Sequence, residues 1–396
     1  LYKYQQVRSQ TVRLITVTTT LAILTSANNS TVTHRPVERN THSLSEAQII
    51  IFSMASNSAA WLPAAKAASF EVRSAPLWTP AEGEILVKNG AVAINPVDGS
   101  LQTFAWFPMQ YPTILGQDVA GEVVAVGDGV TRFKIGDRVL GQALGMTTQR
   151  DQDHAFQQYT IIKSHMASQL PASISNQSAA VIPLGCSTAA CGLFQQEPYL
   201  GLDLPSEARS SPIANKGTLL VWGGSSSVGT NGIQLAVAAG YDVIATASPK
   251  NFEYVKTLGA SQVYDYSNAD IEQELVQGLS GRTLVGVLDC IGGNATINSS
   301  NVLQKVAGSG RIATTKGASD YTPPDGIVIA RIFGTTLADN GVGKAIYEDF
   351  LPWALSRGTF VPSPVPEVTG HGLDAIQDAV NLVMKGVSAK KLVVTL

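Results

Sequence analysis

The chain changes its hydrophobic rhythm after residue 217. Upstream, "GEILVKNGAVAINPVD" (83–98) alternates apolar and polar positions as a strand does, and it stops in a turn at Asn95-Pro96. "DVAGEVVAVGDGVTRFKIGDRVLG" (118–141) continues as short strands separated by Gly/Asp turns, the pattern of a small antiparallel barrel. "SNQSAAVIPLGCSTAACGLFQ" (175–195) has helical composition interrupted by Pro183 and Gly185, which predicts two helical pieces. Residues 198–217 form a polar, proline-rich loop.

Downstream, alternation gives way to continuous apolar runs. "GTLLVWGG" (217–224) is a buried strand, and "SVGTNGIQLAVAAG" (227–240) a helix ending at a glycine. "YDVIATAS" (241–248) and "KNFEYVKTLGA" (250–260) repeat the pair; "VGVLDCIGG" (285–293) and "GRIATTKG" (310–317) extend it. Buried strands alternating with helices predict an α/β, doubly wound parallel sheet. The closing "AKKLVVTL" (389–396) reads as a strand returned to the first domain. The expected division is a first domain over 54–178, completed by 336–396, and a second over 179–335.

Residues 1–53 follow neither rhythm. They are Thr/Ser/Asn-rich, with one apolar piece, "LITVTTTLAILT" (14–25), after Arg8 and Arg13. That piece has the look of a weak secretory signal, and it is too short and threonine-rich to span a bilayer. Asn28 and Asn29 each open a glycosylation sequon. The expectation is an extension, disordered or non-native, outside the fold, with the natural start at Met54.

Composition narrows the class. Of 396 residues, 44% are hydrophobic and 14% charged, with 36 glycines, which suits a turn-rich, two-domain globule. A net charge of -3 without a basic run predicts no nucleic-acid partner, and no membrane association is expected. Cys186, Cys191 and Cys290 contain no CxxC pair, which fits a reducing compartment and a cytoplasmic location.

The chemistry concentrates in "VWGGSSSVGTNGIQLA", between a strand and a helix, where a glycine-rich turn can seat a dinucleotide pyrophosphate on free backbone N–H groups. Ser226 stands where the fingerprint has its second glycine. In NAD-specific folds an acid at the end of the next strand bonds the ribose 2′-OH. This strand ends Ala247-Ser248-Pro249-Lys250-Asn251, and Asp242 lies at its opposite end. Lysine and serine there favour a 2′-phosphate, so NADPH is the expected cofactor.

"AINPVDGSLQ", "YPTILGQDVAGEV", "GGSSSVG", "ASPKNFEYVKTLGA" and "VYDY" together resemble the medium-chain dehydrogenase/reductase superfamily. The resemblance is to its zinc-less quinone-reductase-like branch, including fungal zinc-type alcohol dehydrogenase-like proteins and trans-acting enoyl reductases. It implies a GroES-like barrel domain beside a Rossmann domain, with NADPH in the cleft. It also implies that Pro96, Val97, Asp98 and Gly99 border the nicotinamide, and that Thr188 contacts the cofactor. Ser225, Ser226, Ser227 and Val228 would hold the pyrophosphate; Ser248, Lys250, Asn251 and Tyr266 would surround the adenosine phosphate. A homodimer is a further implication.

The zinc-binding members carry Gly-His-Glu where this chain has Gly116-Gln117-Asp118, and "INPVDGS" lacks the usual cysteine. No structural-zinc cysteines occur in "GQALGMTTQRDQDHAFQQYT", and His154 and His165 read as isolated surface residues. The expectation is an enzyme without zinc. Alcohol oxidation then lacks its Lewis acid, whereas hydride addition to an enone, enoyl thioester or quinone does not need one. The enoyl reductases carry lysine or another polar group after Asn-Pro-x-Asp, where this chain has Gly99 and Ser100. Tyr111 is the candidate proton donor, solvent the alternative, and Cys186 reads as a buried thiol. Segments 104–112, 184–188 and 331–340 would wall an apolar site for a small apolar or conjugated carbonyl substrate. An alcohol/carbonyl oxidoreductase, a non-enzymatic NADPH-binding protein and an inactive secreted protein remain as other readings.

Overall fold

The computed structural model describes residues 56–205 and 216–396. The readings made on residues 1–53 and the start at Met54 lie outside the described residues, as does the middle of the 198–217 loop.

The first lobe is the GroES-like barrel. Its seven-stranded sheet runs Val365–His371, Lys390–Thr395, Glu84–Ala93, Asp118–Val126, Arg138–Gln142, Ala167–Gln169, with Tyr159–Lys163 joining beside Glu84–Ala93. Glu84–Ala93 changes neighbour midway: Glu84 to Lys88 pair with Tyr159–Lys163, while Ala91 to Ala93 pair with the closing strand. The switch falls at a bulge, where Gly90 leaves room for the side chain of Asn176. Asn89 there donates to the Gln157 carbonyl (2.7 Å) and to Thr160 (2.8 Å). A small sheet of Glu71–Ala75, Asn57–Leu62 and Thr113–Ile114 covers one side. Ile85, Val87, Val92, Val119, Val123 and Val394 fill the interior.

The second lobe is the Rossmann sheet, six parallel strands in the order Gln262–Asp265, Asp242–Ala247, Thr218–Trp222, Leu284–Asp289, Gly310–Thr314, Ile327–Arg331. Strand order reverses at Thr218–Trp222, so the ligand crevice of such a sheet lies beyond the carboxyl ends of that strand and its neighbours. Helix Ser227–Ala239 is capped by Ser226, whose Oγ accepts from Gly229 N–H, and it ends at Gly240 with φ 97°.

Two local readings are corrected. Asn95-Pro96 is not a terminal turn but the start of helix Pro96–Phe104. Asp98 accepts the Asn95 N–H at 2.8 Å, and proline fits the first helical turn because it has no N–H to leave unpaired. The helical pieces at 175–195 are Asn176–Ala179 and Pro183–Phe194, so Pro183 opens the second piece and Gly185 lies inside it. Gly185 is a contact position: a Cβ there would stand 2.5 Å from Ser227 Oγ on the dinucleotide helix. The stretch Asn176–Phe194 is long and apolar enough to cross a membrane, but most of it is buried in the protein core.

Candidate active site

The crevice brings the phosphate-binding candidates together. Ser225, Ser226, Ser227 and Val228 are partly exposed, between the buried strand Thr218–Trp222 and the buried helix residues from Gly229 onward. Gly229 fixes their path, since a Cβ there would lie 2.2 Å from the Gly223 carbonyl oxygen. Asn251 joins the two loops: its Nδ2 lies 3.3 Å from Ser225 Oγ, 3.1 Å from Ser248 Oγ and 3.1 Å from Ser388 Oγ. Pro249, Lys250 and Tyr266 are exposed, after strands Asp242–Ala247 and Gln262–Asp265 whose last residues, Ala247 and Asp265, are paired. A dinucleotide phosphate fits this cradle: glycine permits the approach, N–H groups open the helix, and one cation is free of carboxylate partners among the described residues.

Asp289 shapes the crevice floor. Fully buried, it accepts from Ile291 N (2.9 Å), Gly292 N (3.0 Å), Thr314 Oγ1 (2.8 Å) and Thr296. These bonds hold the loop after Leu284–Asp289 against the dinucleotide turn, where Ile291 approaches Gly223.

Sequence reasoning missed the polar cluster joining the lobes. Lys391 Nζ, in a residue only 4% exposed, lies 3.1 Å from Asp118 Oδ2 and 3.4 Å from Ser227 Oγ, and it donates to Asn95 Oδ1. Asp118, with no exposure, also accepts from Asn95 Nδ2 (2.8 Å) and Leu184 N (2.6 Å). One ion pair thus ties the barrel, the closing strand, the linking helix and the dinucleotide helix. The available signal was two charges, each without a local partner, inside the apolar strands "DVAGEVVAV" and "KKLVVT".

The same cluster decides the fit of zinc. Gln117 is an amide, a poor zinc ligand, and both oxygens of Asp118 are already bonded within the protein. Among the described residues no three His, Cys, Asp or Glu side chains converge as a metal site. The donors present therefore do not fit a catalytic zinc. His154 is not a surface residue: it is 2% exposed, packed where Gly145 lacks a Cβ, and burial pushes its pKa down to about 4. His165 is half-buried, its Nε2 3.0 Å from the Ala338 carbonyl.

Of the nicotinamide-side candidates, Pro96 is exposed and Val97 half-buried, whereas Asp98 and Gly99 are buried. Asp98 closes the capping box by accepting the Asn95 N–H, and Gly99 lies against Met384, within 2.5 Å of where a Cβ would stand. Thr188 bonds back to the Leu184 carbonyl at 2.7 Å and faces Gly334. Tyr111 packs its ring on the barrel core, and its hydroxyl has no hydrogen-bond partner among the described residues. Cys186 is fully buried, and that burial pushes its thiol pKa well up.

Burial also pushes the Asp98 carboxyl up from 3.8 to about 7, reinforced by the Asp118 charge and opposed by the Asn95 N–H and Lys391. Its native form holds a proton more tightly than the unfolded chain does. That stabilisation is complete below the unfolded pKa and is lost as pH rises through the native one. Asp98→Asn keeps an acceptor for Asn95 and removes the charge, so it should exceed wild-type stability at pH 8 by more than about 1 kcal/mol and not at pH 4. Urea midpoints at the two pH values check this; equal midpoints at both would mean that the native carboxyl titrates normally.

A GroES-like barrel set against a Rossmann sheet, with a glycine-rich turn at the strand reversal, defines a medium-chain dehydrogenase/reductase. The alcohol dehydrogenase GroES-like domain matches residues 81–172 and the zinc-binding dehydrogenase family residues 227–336. The zinc-binding alcohol dehydrogenase domain-containing protein cipB of Emericella nidulans is 55% identical over 340 residues, covering 86% of this chain and 98% of its own length. Trans-enoyl reductase himH of Aspergillus japonicus is 36% identical over 339 residues, covering 85% and 97%. A solved alcohol dehydrogenase superfamily protein from Novosphingobium aromaticivorans superimposes with TM-score 0.70 at 26% identity, covering 86% of this chain and 99% of its own. The chain belongs to the medium-chain dehydrogenase/reductase superfamily of oxidoreductases, alongside fungal alcohol dehydrogenase-domain proteins and trans-enoyl reductases.

Proposed function

We propose that the chain is an NADPH-dependent, zinc-independent reductase of an activated carbon–carbon double bond, in an enone or enoyl group, or of a quinone. The observation that carries this is the end of strand Asp242–Ala247. That strand end carries no carboxylate of its own for a ribose 2′-OH, the neighbouring Asp265 is bonded to Ser267, and exposed Lys250 and Tyr266 flank the position from adjacent strand ends. When bound, NADPH would supply hydride, and a solvent proton completes the reduction as NADP⁺ leaves. Ser225 to Val228 would take the pyrophosphate, with Ser248, Lys250 and Asn251 at the 2′-phosphate. Zinc independence is supported by the donor set: an amide at 117 and a carboxylate at 118 committed to Lys391, Asn95 and Leu184. The name of himH, an enoyl reductase, fits this reading; the name of cipB speaks of zinc binding, and this chain's donors favour the other branch.

The test follows nicotinamide absorbance with a quinone, a simple enone, a crotonyl thioester and an aldehyde, with and without chelator. Turnover of any of the first three that survives chelation is expected. Lys250→Gln should raise the KM for NADPH about tenfold and leave that for NADH unchanged. Chelator-sensitive turnover confined to the aldehyde would defeat the zinc-free reading, and NADPH binding without any turnover would defeat the enzymatic one.

A further inference from the structure

After strand Ile327–Arg331 the chain leaves the parallel sheet, with the Ile332 N–H still bonded to the Thr314 carbonyl at 2.8 Å. The segment that follows is one tight turn, Gly334–Asp339, too short to fix its own position. Side chains of the linking helix Pro183–Phe194 do so. Thr188 and Cys191 share one face of that helix, and Gln195 continues the face at the C-terminal cap. Gln195 Nε2 donates to Thr336 Oγ1 at 3.0 Å, and the Thr336 hydroxyl lies 2.9 Å from the Phe333 carbonyl. Cys191 Sγ stands 3.0 Å from Gln195 Oε1 and 3.5 Å from Thr336 Oγ1. Just beyond, Tyr199 donates to the Arg331 carbonyl at 3.1 Å. From the barrel side, Thr147 Oγ1 lies 2.6 Å from Thr335 Oγ1.

This polar clasp decides what presses on Thr188. A Cβ at Gly334 would stand 2.8 Å from Thr188 Oγ1 and 3.2 Å from its backbone N, so the segment lies directly on that residue. Thr188 is one turn along from Leu184, whose N–H meets Asp118 beside Asn95-Pro96. It therefore belongs to the end of the crevice where the nicotinamide is expected. Ile332 and Leu337 are buried in the apolar cluster around this helix and supply most of the hold on the segment. Gln195 and Thr336 are only partly buried, so their bonds set its position more than its stability.

We infer that Thr336, clasped by Gln195 and Cys191, is a positioning residue for hydride transfer: it sets how closely the segment after Phe333 presses on Thr188, and so where the nicotinamide ring seats. The inference rests on the reductase reading above and deepens it. A displacement of about 1 Å at a reacting group costs up to about a hundredfold in rate. Affinity for NADPH would come from the phosphates at 225–228 and 248–251, on other loops, and does not depend on this clasp.

Thr336→Val keeps the shape and removes the hydroxyl, whereas Thr336→Ser keeps the hydroxyl. Thr336→Val should lower kcat about tenfold, change the KM for NADPH less than about twofold and keep the wild-type urea midpoint. Thr336→Ser should restore kcat to within about twofold of wild type. Gln195→Leu should match Thr336→Val, and the double variant should lose no more than either, since both break the same bond. An unchanged kcat, a loss confined to KM, or a loss that serine does not restore overturns the inference. So does a kcat that falls only in step with the urea midpoint. If the wild type reduces no acceptor, the reductase reading fails, and the fluorescence of bound NADPH decides the positioning. Emission lowered in Thr336→Val at unchanged affinity, and regained in Thr336→Ser, sustains it. Equal emission in the three proteins, or no NADPH binding by the wild type, overturns it.

Discussion

Lys391→Met is expected to destabilise the protein by about 3–5 kcal/mol, the usual consequence of leaving one member of a buried ion pair alone. Methionine nearly matches the length of lysine, so packing is largely kept and the loss is electrostatic. Asp118 would retain the Leu184 N–H and the Asn95 amide but lose the one cation paired with it among the described residues, at zero exposure. Asp118→Asn alone should cost a similar amount, because it strands the ammonium instead. The double variant Lys391→Met/Asp118→Asn should recover most of either loss, since neither charge then remains to be solvated. Urea unfolding of the four proteins closes the cycle. Single-variant losses below about 1 kcal/mol would show that water reaches the pair and that the lobes are joined mainly by apolar contact. The cluster also bears on function, because Lys391 Nζ touches Ser227 in the dinucleotide loop.

That cluster marks the boundary of what the sequence made legible. Strands Glu84–Ala93, Asp118–Val126, Thr218–Trp222, Asp242–Ala247 and Lys390–Thr395 follow from periods of apolar residues, a local property. The dinucleotide turn was legible for the same reason, since a strand, a glycine-rich turn and a helix are contiguous. Lys391 and Asp118 are far apart in the chain, and no local rule pairs them. Helix Asn294–Ala307 was not read because its first eight residues, "NATINSSN", are mostly weak helix formers. It forms because Ala295, Val302 and Leu303 pack into the cluster with Ile271 and Leu275. Strand Gln262–Asp265 is an edge strand of four residues, too short to show a period. At Asn95-Pro96, turn and helix-cap chemistry use the same residues, and only the Asp98 position distinguishes them. His154 was misplaced because a lone polar residue carries no sign of the glycine that makes room for it.

Gly229→Ala tests the dinucleotide loop at the residue where backbone meets backbone. The added Cβ would stand 2.2 Å from the Gly223 carbonyl oxygen and 2.9 Å from Gly224 Cα. Neither is the end of a flexible side chain, so relief requires moving the helix start away from the strand end. That motion breaks the Ser226 cap on Gly229 N–H and displaces Ser225 to Val228 together. Overpacking of this kind costs about 1–3 kcal/mol in stability. Because the displaced groups are those proposed to meet the pyrophosphate, NADPH affinity should fall about a hundredfold or more. Gly308→Ala provides the comparison: φ is 73° and nothing lies within 4 Å of the new Cβ. It should lose about 1 kcal/mol by backbone strain alone and bind NADPH as wild type does. Fluorescence titration with NADPH and urea unfolding on both variants separate binding from folding. If Gly229→Ala loses stability yet keeps wild-type affinity, the cofactor is not seated on this turn, and the assignments of Ser225 to Val228 fall with it. If affinity falls far more than the stability loss explains, the close approach of Gly229 to Gly223 is what holds the N–H groups in place for the phosphates.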